Sequence, residues 1–322
     1  MLLESIRALI GEDLQSTDRF IISQLESNIP MVKQIIEYVL TCGGKRIRPM
    51  LLLLSARALD HSGHKHIDLA AVIELIHTAT LLHDDVVDNS TLRRGHQTAN
   101  LIWGNEASVL VGDFLYSRAF QVVVDLNHQT ILNIFAKATH YIAEGEIMQL
   151  VNCKNPDTTE DFYFGIIERK TAKLFEVATQ LGALLASQSD RDIAALRTYG
   201  QHFGLAYQLI DDALDYSQPA AETGKNVGQD LAEGKMTLPL IHAMRHAKSA
   251  DLTLLRDAIQ SGSNQHLETI LGIIEYTDAI KYTAAAARRH ADQAKQALSH
   301  LRQTPYRKAL EELSHFVVER TY

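Results

Sequence analysis

Apolar residues recur at a period near 3.6 along nearly the whole of this 322-residue chain, and almost nowhere at a period of 2. That pattern commits the chain to an all-α fold. The run Ile35 to Leu40 ends at Gly43-Gly44, which supply a helix C-cap, and Pro49 stands where the next helix begins. Further helices are expected at about 49–59, 67–88, 106–125, 129–151, 159–187, 190–216, 237–247, 250–260, 276–303 and 305–320. No run of β-branched residues is bounded by hairpin chemistry, so strands are not required. Only 6 Pro and 17 Gly interrupt the chain, and no Pro-rich or Gly/Ser-rich linker divides it. One large helical domain over residues 1–322 is therefore expected, with a 46% hydrophobic content to fill its core.

Composition narrows the function. A net charge of −8 argues against nucleic acid as a partner. The apolar run Met50 to Leu54 is far too short to cross a bilayer. The N-terminus lacks the n-region and cleavage site of a signal peptide. Two cysteines, Cys42 and Cys153, make no disulfide framework and suit a reducing compartment. A cytoplasmic protein without a transmembrane segment is expected.

Two clusters share the pattern DDxxD: Asp84-Asp85-Val86-Val87-Asp88 and Asp211-Asp212-Ala213-Leu214-Asp215. Each ends a long predicted helix. Asp84 and Asp88 stack one turn apart, as do Asp211 and Asp215, a repulsion of about 0.2–0.5 kcal/mol per pair. The negative end of the helix dipole adds about 0.3–1 kcal/mol for each anion. Folding alone does not favour this arrangement twice. Multivalent cations reverse its sign, and clustered carboxylates suit Mg²⁺, which bridges one or two of them to a substrate's phosphates. Solvated acidic helix ends are the plain alternative for one cluster and a poor one for the pair.

Basic residues accompany both clusters. Gly43-Gly44-Lys45-Arg46-Ile47-Arg48-Pro49 places three cations in four positions. Arg93-Arg94-Gly95 follows the first cluster, and Lys225 and Lys235 follow the second. Guanidinium groups grip phosphate bidentately, lysines act as point charges, and glycines let backbone N–H groups approach an anion. Surface neutralisation remains open for any single member, Arg46 above all. Gly228 to Thr237 has one residue too many for a P-loop and no preceding strand, which excludes an NTPase reading.

Taken in order, GGKRIRP (43–49), LIHTATLLHDDVVDNSTLRRG (75–95), KTA (170–172), FGLAYQLIDDALD (203–215) and GKNVGQDLAEGKMTLPLI (224–241) resemble the trans-type polyprenyl diphosphate synthase family, and the bacterial octaprenyl-forming members most. The resemblance implies an isoprenoid synthase fold, with helices surrounding a central cavity, and a homodimer. It implies that Lys45, Arg48, His77 and Arg94 hold the diphosphate of isopentenyl diphosphate. Arg93, Lys170, Thr171, Gln208, Lys225 and Lys235 would contact the allylic diphosphate or its metals. Asp84, Asp88 and Asp211 would bind Mg²⁺, three ions per site with substrate present. Asp85, Asp212, Lys170 and Lys225 join them in the catalytic set.

The implied reaction is a five-carbon extension. Mg²⁺ and cationic side chains stabilise the departing diphosphate, the isopentenyl alkene attacks the allylic cation, and a proton is lost. Farnesyl diphosphate is the implied primer, and an octaprenyl diphosphate for quinone side chains the implied product. Ala79 and Thr80 lie about one turn below Asp84, and Val123, among Phe120 to Val123, is a candidate for a lower floor of a product tunnel. Alternatives are another chain length (geranylgeranyl, heptaprenyl or nonaprenyl), a terpene cyclase, or a non-catalytic partner subunit. Brief membrane contact for product release is compatible with a lipid product.

Overall fold

The computed structural model describes residues 2–187, 189–217 and 227–319. Its elements in chain order are α1 (Leu2–Leu9), α2 (Gly11–Gln24), α3 (Pro30–Thr41), α4 (Ile47–Ala58), α5 (Lys65–Val87), β1 (Leu92–Arg93), β2 (His96–Gln97), α6 (Ala99–Trp103), α7 (Asn105–Asp125), α8 (Gln129–Asn152) and α9 (Glu160–Ile167). A π-helical turn, Glu168–Ala172, leads into α10 (Lys173–Ala186) and α11 (Asp190–Leu214). Then follow α12 (Gln229–Ala232), α13 (Leu238–His246), α14 (Ser249–Ser261), α15 (Leu267–Tyr276), α16 (Ala279–Ala297) and α17 (Pro305–Val318).

Local chemistry explains the boundaries. Pro30 opens α3 at its first turn, and Gly43 just past its end takes a left-handed φ of 71°. Pro49 falls inside the first turn of α4, where its missing N–H costs no hydrogen bond. Three expectations need correction. The predicted helix 159–187 is interrupted by the π turn. The predicted helix 276–303 is shorter, Ala279–Ala297, because Asp278 turns left-handed (φ 55°) and separates it from α15, which ends at Tyr276. A strand pair does form: Leu92 and Arg93 pair antiparallel with Gln97 and His96. Arg94 and Gly95 between them both have positive φ (54° and 79°), the geometry of a two-residue hairpin turn. Two-residue strands carry no alternation for a sequence to display.

The described chain forms two compact units: Met1–Lys137, Leu174–Gly200 and Ala297–Leu313 make the first, and Ala138–Lys173, Gln201–Gln296 and Ser314–Tyr322 the second. In the first, α5 is flanked by α2, α4 and α7. Met50 to Leu54 are wholly buried, so α4 needs no polar face. Each such leucine contributes about 1.5–3 kcal/mol of burial. Arg57 on α4 donates from Nε and Nη2 to the two oxygens of Asp13 on α2 (2.8 and 2.7 Å), fastening these helices side by side. The helix α7 is long and apolar enough to cross a bilayer by length and composition alone, which the sequence reading overlooked. It nevertheless packs Val111, Leu115, Ala119, Val122 and Val123 into the unit's core.

In the second unit, α13 packs on α9 and α15, and α12 on α14. Gly145 on α8 meets the π turn so closely that a Cβ there would lie 2.6 Å from the Arg169 Cβ and 2.7 Å from the Lys170 nitrogen.

Candidate active site

In the first unit, the last three turns of α5 and its C-cap carry a partly open stripe, beside which Leu81, His83 and Val86 are half-buried and Val87 is exposed. His77, Thr80, Asp84 and Asp88, spaced at 3, 4 and 4 residues, are its half-buried members, and Ala79 one position away is fully enclosed. Asp85 is buried too. Arg93 reaches back from the hairpin and donates Nε and Nη2 to Asp85 Oδ1 at 2.7 and 2.6 Å. Burial raises the Asp85 carboxyl above its ordinary range, although Arg93 opposes this. The Asp85 carbonyl, orphaned at the helix end, accepts from Ser90 N and Asn100 Nδ2.

The hairpin turn sends its two arginines in different directions. Arg94 lies against Gly44, where a Cβ would stand 2.7 Å from its Nη1. Glycine at 44 is what lets this guanidinium reach the GGKRIRP loop. Within that loop Arg48 donates to His77 Nε2 (3.0 Å) and stacks 4.2 Å above the Phe175 ring. A guanidinium only donates, so His77 Nε2 is the acceptor and its proton sits on Nδ1. Burial, together with Arg48, Arg94, Arg93 and Arg46, holds the His77 imidazole well below its ordinary pKa and therefore neutral. Lys45 is anchored through its backbone, whose carbonyl accepts from Arg7 on α1 (3.1 Å). Arg46 caps α4 in a left-handed conformation (φ 51°) and pairs with the buried Glu74 and, at 3.8 Å, with Asp18. The Arg46 guanidinium is thus committed to carboxylates.

In the second unit, Asp211 is half-buried, while Asp212 is enclosed and bound on both oxygens. Tyr163 Oη donates to Oδ2 at 2.5 Å, and Gln208 Nε2 to Oδ1 at 2.7 Å. Burial and the neighbouring Asp230 push the Asp212 carboxyl up to about 8, against those two donors. Gln208 accepts in turn from Thr171 Oγ1 at 2.8 Å, and Lys170 pairs with Glu146 at 2.6 Å. Lys170 and Thr171 both sit in the π turn, a feature that often marks functional sites. Asp215 accepts at Oδ2 from the Asp230 N–H (3.1 Å), and its carbonyl from Gly228 N (2.9 Å), which ties the cluster to the loop of Lys235. Lys235 pairs with Glu233 at 2.6 Å. Lys225 lies outside the described residues.

Among the described residues, no three His, Cys, Asp or Glu side chains converge as a ready-made metal cage. The oxygen donors fit Mg²⁺ all the same, because that ion takes one or two carboxylates and fills its shell with water and substrate phosphate. Asp84 and Asp88, one turn apart at the end of α5, are the two carboxylates that could supply such ligands. Val123 is enclosed like Ala79, so of the three proposed chain-length positions only Thr80 belongs to the open stripe. Tyr163 and Glu146 do not stand out from their helical surroundings, and Asp230 and Glu233 fall within the segment 224–241 without a role being assigned to them. Glu74 did give a signal, as the one charge in the run Ala70 to Ile76.

Comparison with known proteins bears on this arrangement. The family model described as "Polyprenyl synthetase" matches residues 29–277. The octaprenyl diphosphate synthase of Escherichia coli K12 is 46% identical, over 99% of each chain. The all-trans-nonaprenyl-diphosphate synthase (geranyl-diphosphate specific) of Rhodobacter capsulatus is 44% identical, over 98% of each. The crystal structure of a polyprenyl synthase from Caulobacter crescentus CB15, complexed with calcium and isoprenyl diphosphate, superposes with a TM-score of 0.96 at 40% identity, covering 99% of this chain and 98% of that one. Their shared fold is that of the isoprenoid synthases. The chain belongs to the polyprenyl synthetase family and is a prenyltransferase that elongates prenyl diphosphates.

Proposed function

We propose that this enzyme condenses isopentenyl diphosphate with farnesyl diphosphate repeatedly to all-trans-octaprenyl diphosphate, a precursor of quinone side chains, within one catalytic domain over residues 1–322. The observation that carries the reading is the separation of the two hairpin arginines. Arg93 is committed to the first aspartate cluster and Arg94 to the GGKRIRP loop, so one two-residue turn serves two diphosphates. The identity to octaprenyl-forming relatives favours that chain length over nine units.

In this reading Lys45, Arg48 and Arg94 hold isopentenyl diphosphate. His77, neutral and accepting from Arg48, orients that guanidinium and offers the substrate its Nδ1–H side. Asp84, Asp88 and Asp211 ligate Mg²⁺, three ions in the loaded enzyme. When bound, Mg²⁺ stabilises charge on the departing diphosphate. Arg93, Lys170, Thr171, Gln208, Lys225 and Lys235 bind the allylic diphosphate and neutralise it as it leaves. Asp85 and Asp212 hold Arg93 and Gln208 in place for this work. The allylic carbon is then attacked by the isopentenyl alkene, and the released diphosphate takes the proton, so no protein nucleophile takes part.

Exposed apolar side chains, Leu101, Ile102 and Leu110 in the first unit and Ile147, Leu150 and Val151 in the second, support a homodimer. The reducing habit of a two-cysteine chain supports a cytoplasmic location, with brief bilayer contact as product leaves. The test is product analysis after incubation with Mg²⁺, labelled isopentenyl diphosphate and farnesyl diphosphate. Octaprenyl diphosphate is expected. A ladder ending elsewhere would revise the chain length, and a cyclic hydrocarbon would overturn the elongation reading.

A further inference from the structure

Four side chains of the second unit form one unbroken run of hydrogen bonds. Tyr163 Oη donates to Asp212 Oδ2, Gln208 Nε2 donates to Asp212 Oδ1, and Thr171 Oγ1 donates to Gln208 Oε1. The run joins α9, α11 and the π turn. Asp212 is 3% exposed and Tyr163 is 2% exposed, so no water competes for either group. Folding alone does not ask for this. An acid side chain this enclosed costs desolvation that an apolar side chain of similar size would not. With one donor on each oxygen, the carboxylate plane of Asp212 is fixed from two different helices.

We propose that Tyr163 is a positioning residue of the elongation site: it fixes Asp212, and through Asp212 and Gln208 it sets Asp211 and the Lys170–Thr171 turn for the allylic diphosphate and its Mg²⁺. The proposal rests on the function given above. Gln208 and Thr171, two members of the run, are assigned to that substrate, and Asp211 and Lys170 are the backbone neighbours of Asp212 and Thr171, so the run begins at Tyr163 and ends among the groups that take the allylic diphosphate. Lys45, Arg48 and Arg94 have no member in the run. Its loss therefore acts on one substrate and spares the other.

The variant Tyr163→Phe keeps the ring and deletes only the hydroxyl. Steady-state kinetics are measured with each substrate varied in turn and with Mg²⁺ titrated, alongside urea unfolding. The expected result is a rise of about tenfold in the allylic KM and in half-saturating Mg²⁺, a fall in kcat, and no change in the isopentenyl KM. Asp212→Asn keeps an acceptor for Tyr163, and the Gln208 amide can reverse to match it. It is expected to retain more activity than Asp212→Ala. If Tyr163→Phe loses stability yet keeps both KM values and its Mg²⁺ demand, Tyr163 is only a packing residue. Equal shifts in the two KM values, or equal losses from the two Asp212 variants, would also overturn the proposal. Wild-type protein that elongates no prenyl diphosphate would instead overturn the function on which it rests.

Discussion

Arg93 closes on Asp85 from eight residues downstream, with Nε and Nη2 both on Oδ1 at 2.7 and 2.6 Å, while its neighbour Arg94 lies against Gly44. Positive φ at Arg94 and Gly95 turns the chain between them, so adjacent guanidinium groups serve different surfaces. Lysine retains the charge and loses the planar fork. Arg93→Lys is expected to raise the allylic KM and half-saturating Mg²⁺ about tenfold with the isopentenyl KM unchanged, and Arg94→Lys to do the reverse. Two-substrate kinetics on both variants check this, and identical effects from the two would contradict the division.

Gly44→Ala tests the same division from the other side of the contact. The added Cβ would stand 2.7 Å from Arg94 Nη1, too close to be tolerated without moving that side chain. The isopentenyl KM should rise several-fold, a loss of about 1 kcal/mol of binding, with thermal stability close to wild type. An unchanged isopentenyl KM would show that Arg94 does not need this approach.

Asp84→Ala removes one of the two carboxylates on the open stripe of α5. Turnover should fall by about a hundredfold or more, with unfolding by urea unaltered or slightly later as like-charge repulsion with Asp88 is relieved. Normal activity at ordinary Mg²⁺ would rule out a ligand role for Asp84.

Product length separates Thr80 from Ala79. Thr80 shares the half-open stripe with Asp84, whereas Ala79 is fully enclosed. Thr80→Tyr should shorten the product ladder while the protein stays folded. Ala79→Tyr should cost about 1–3 kcal/mol of stability or more by overpacking. Chromatography of the products and urea midpoints measure both effects, and a full-length ladder from Thr80→Tyr would move the stop deeper.

The contrast between positions 79 and 80 also shows what the sequence could and could not display. Helical periodicity and the two acidic clusters are local, repeated signals, so the α-helical architecture and the aspartates were legible. The depth of a side chain depends on where a neighbouring helix lies, and adjacent residues on α5 differ by about 100° around the axis. Partnerships over long separations were likewise invisible. Tyr163 meets Asp212 across 49 positions, and Arg46 meets Glu74 across 28. The π turn at Lys170 and Thr171 lies so close to Gly145 that no Cβ would fit there, an approach that no periodic pattern encodes.

Acid should weaken the second unit through His290. Its Nδ1 lies 3.0 Å from His202 Nδ1, and its ring packs beside Phe164. Burial, with His202 and Arg289 nearby, pushes the His290 imidazole down to about 4. An unfolded histidine titrates near 6.5, so unfolding takes up a proton between these values. The contribution is complete above about pH 6.5 and declines as pH falls towards 4; because the ring is partly exposed, the loss at pH 5 is on the order of 1 kcal/mol. Asp212 acts with the opposite sign, because its raised carboxyl pKa favours the folded state as pH falls below 8. Comparing His290→Phe with wild type removes that shared background. Between pH 7.5 and pH 5, the urea unfolding free energy of the variant should fall by about 1 kcal/mol less than that of wild type. Parallel pH profiles would show that His290 remains as easily protonated in the fold as in the unfolded chain.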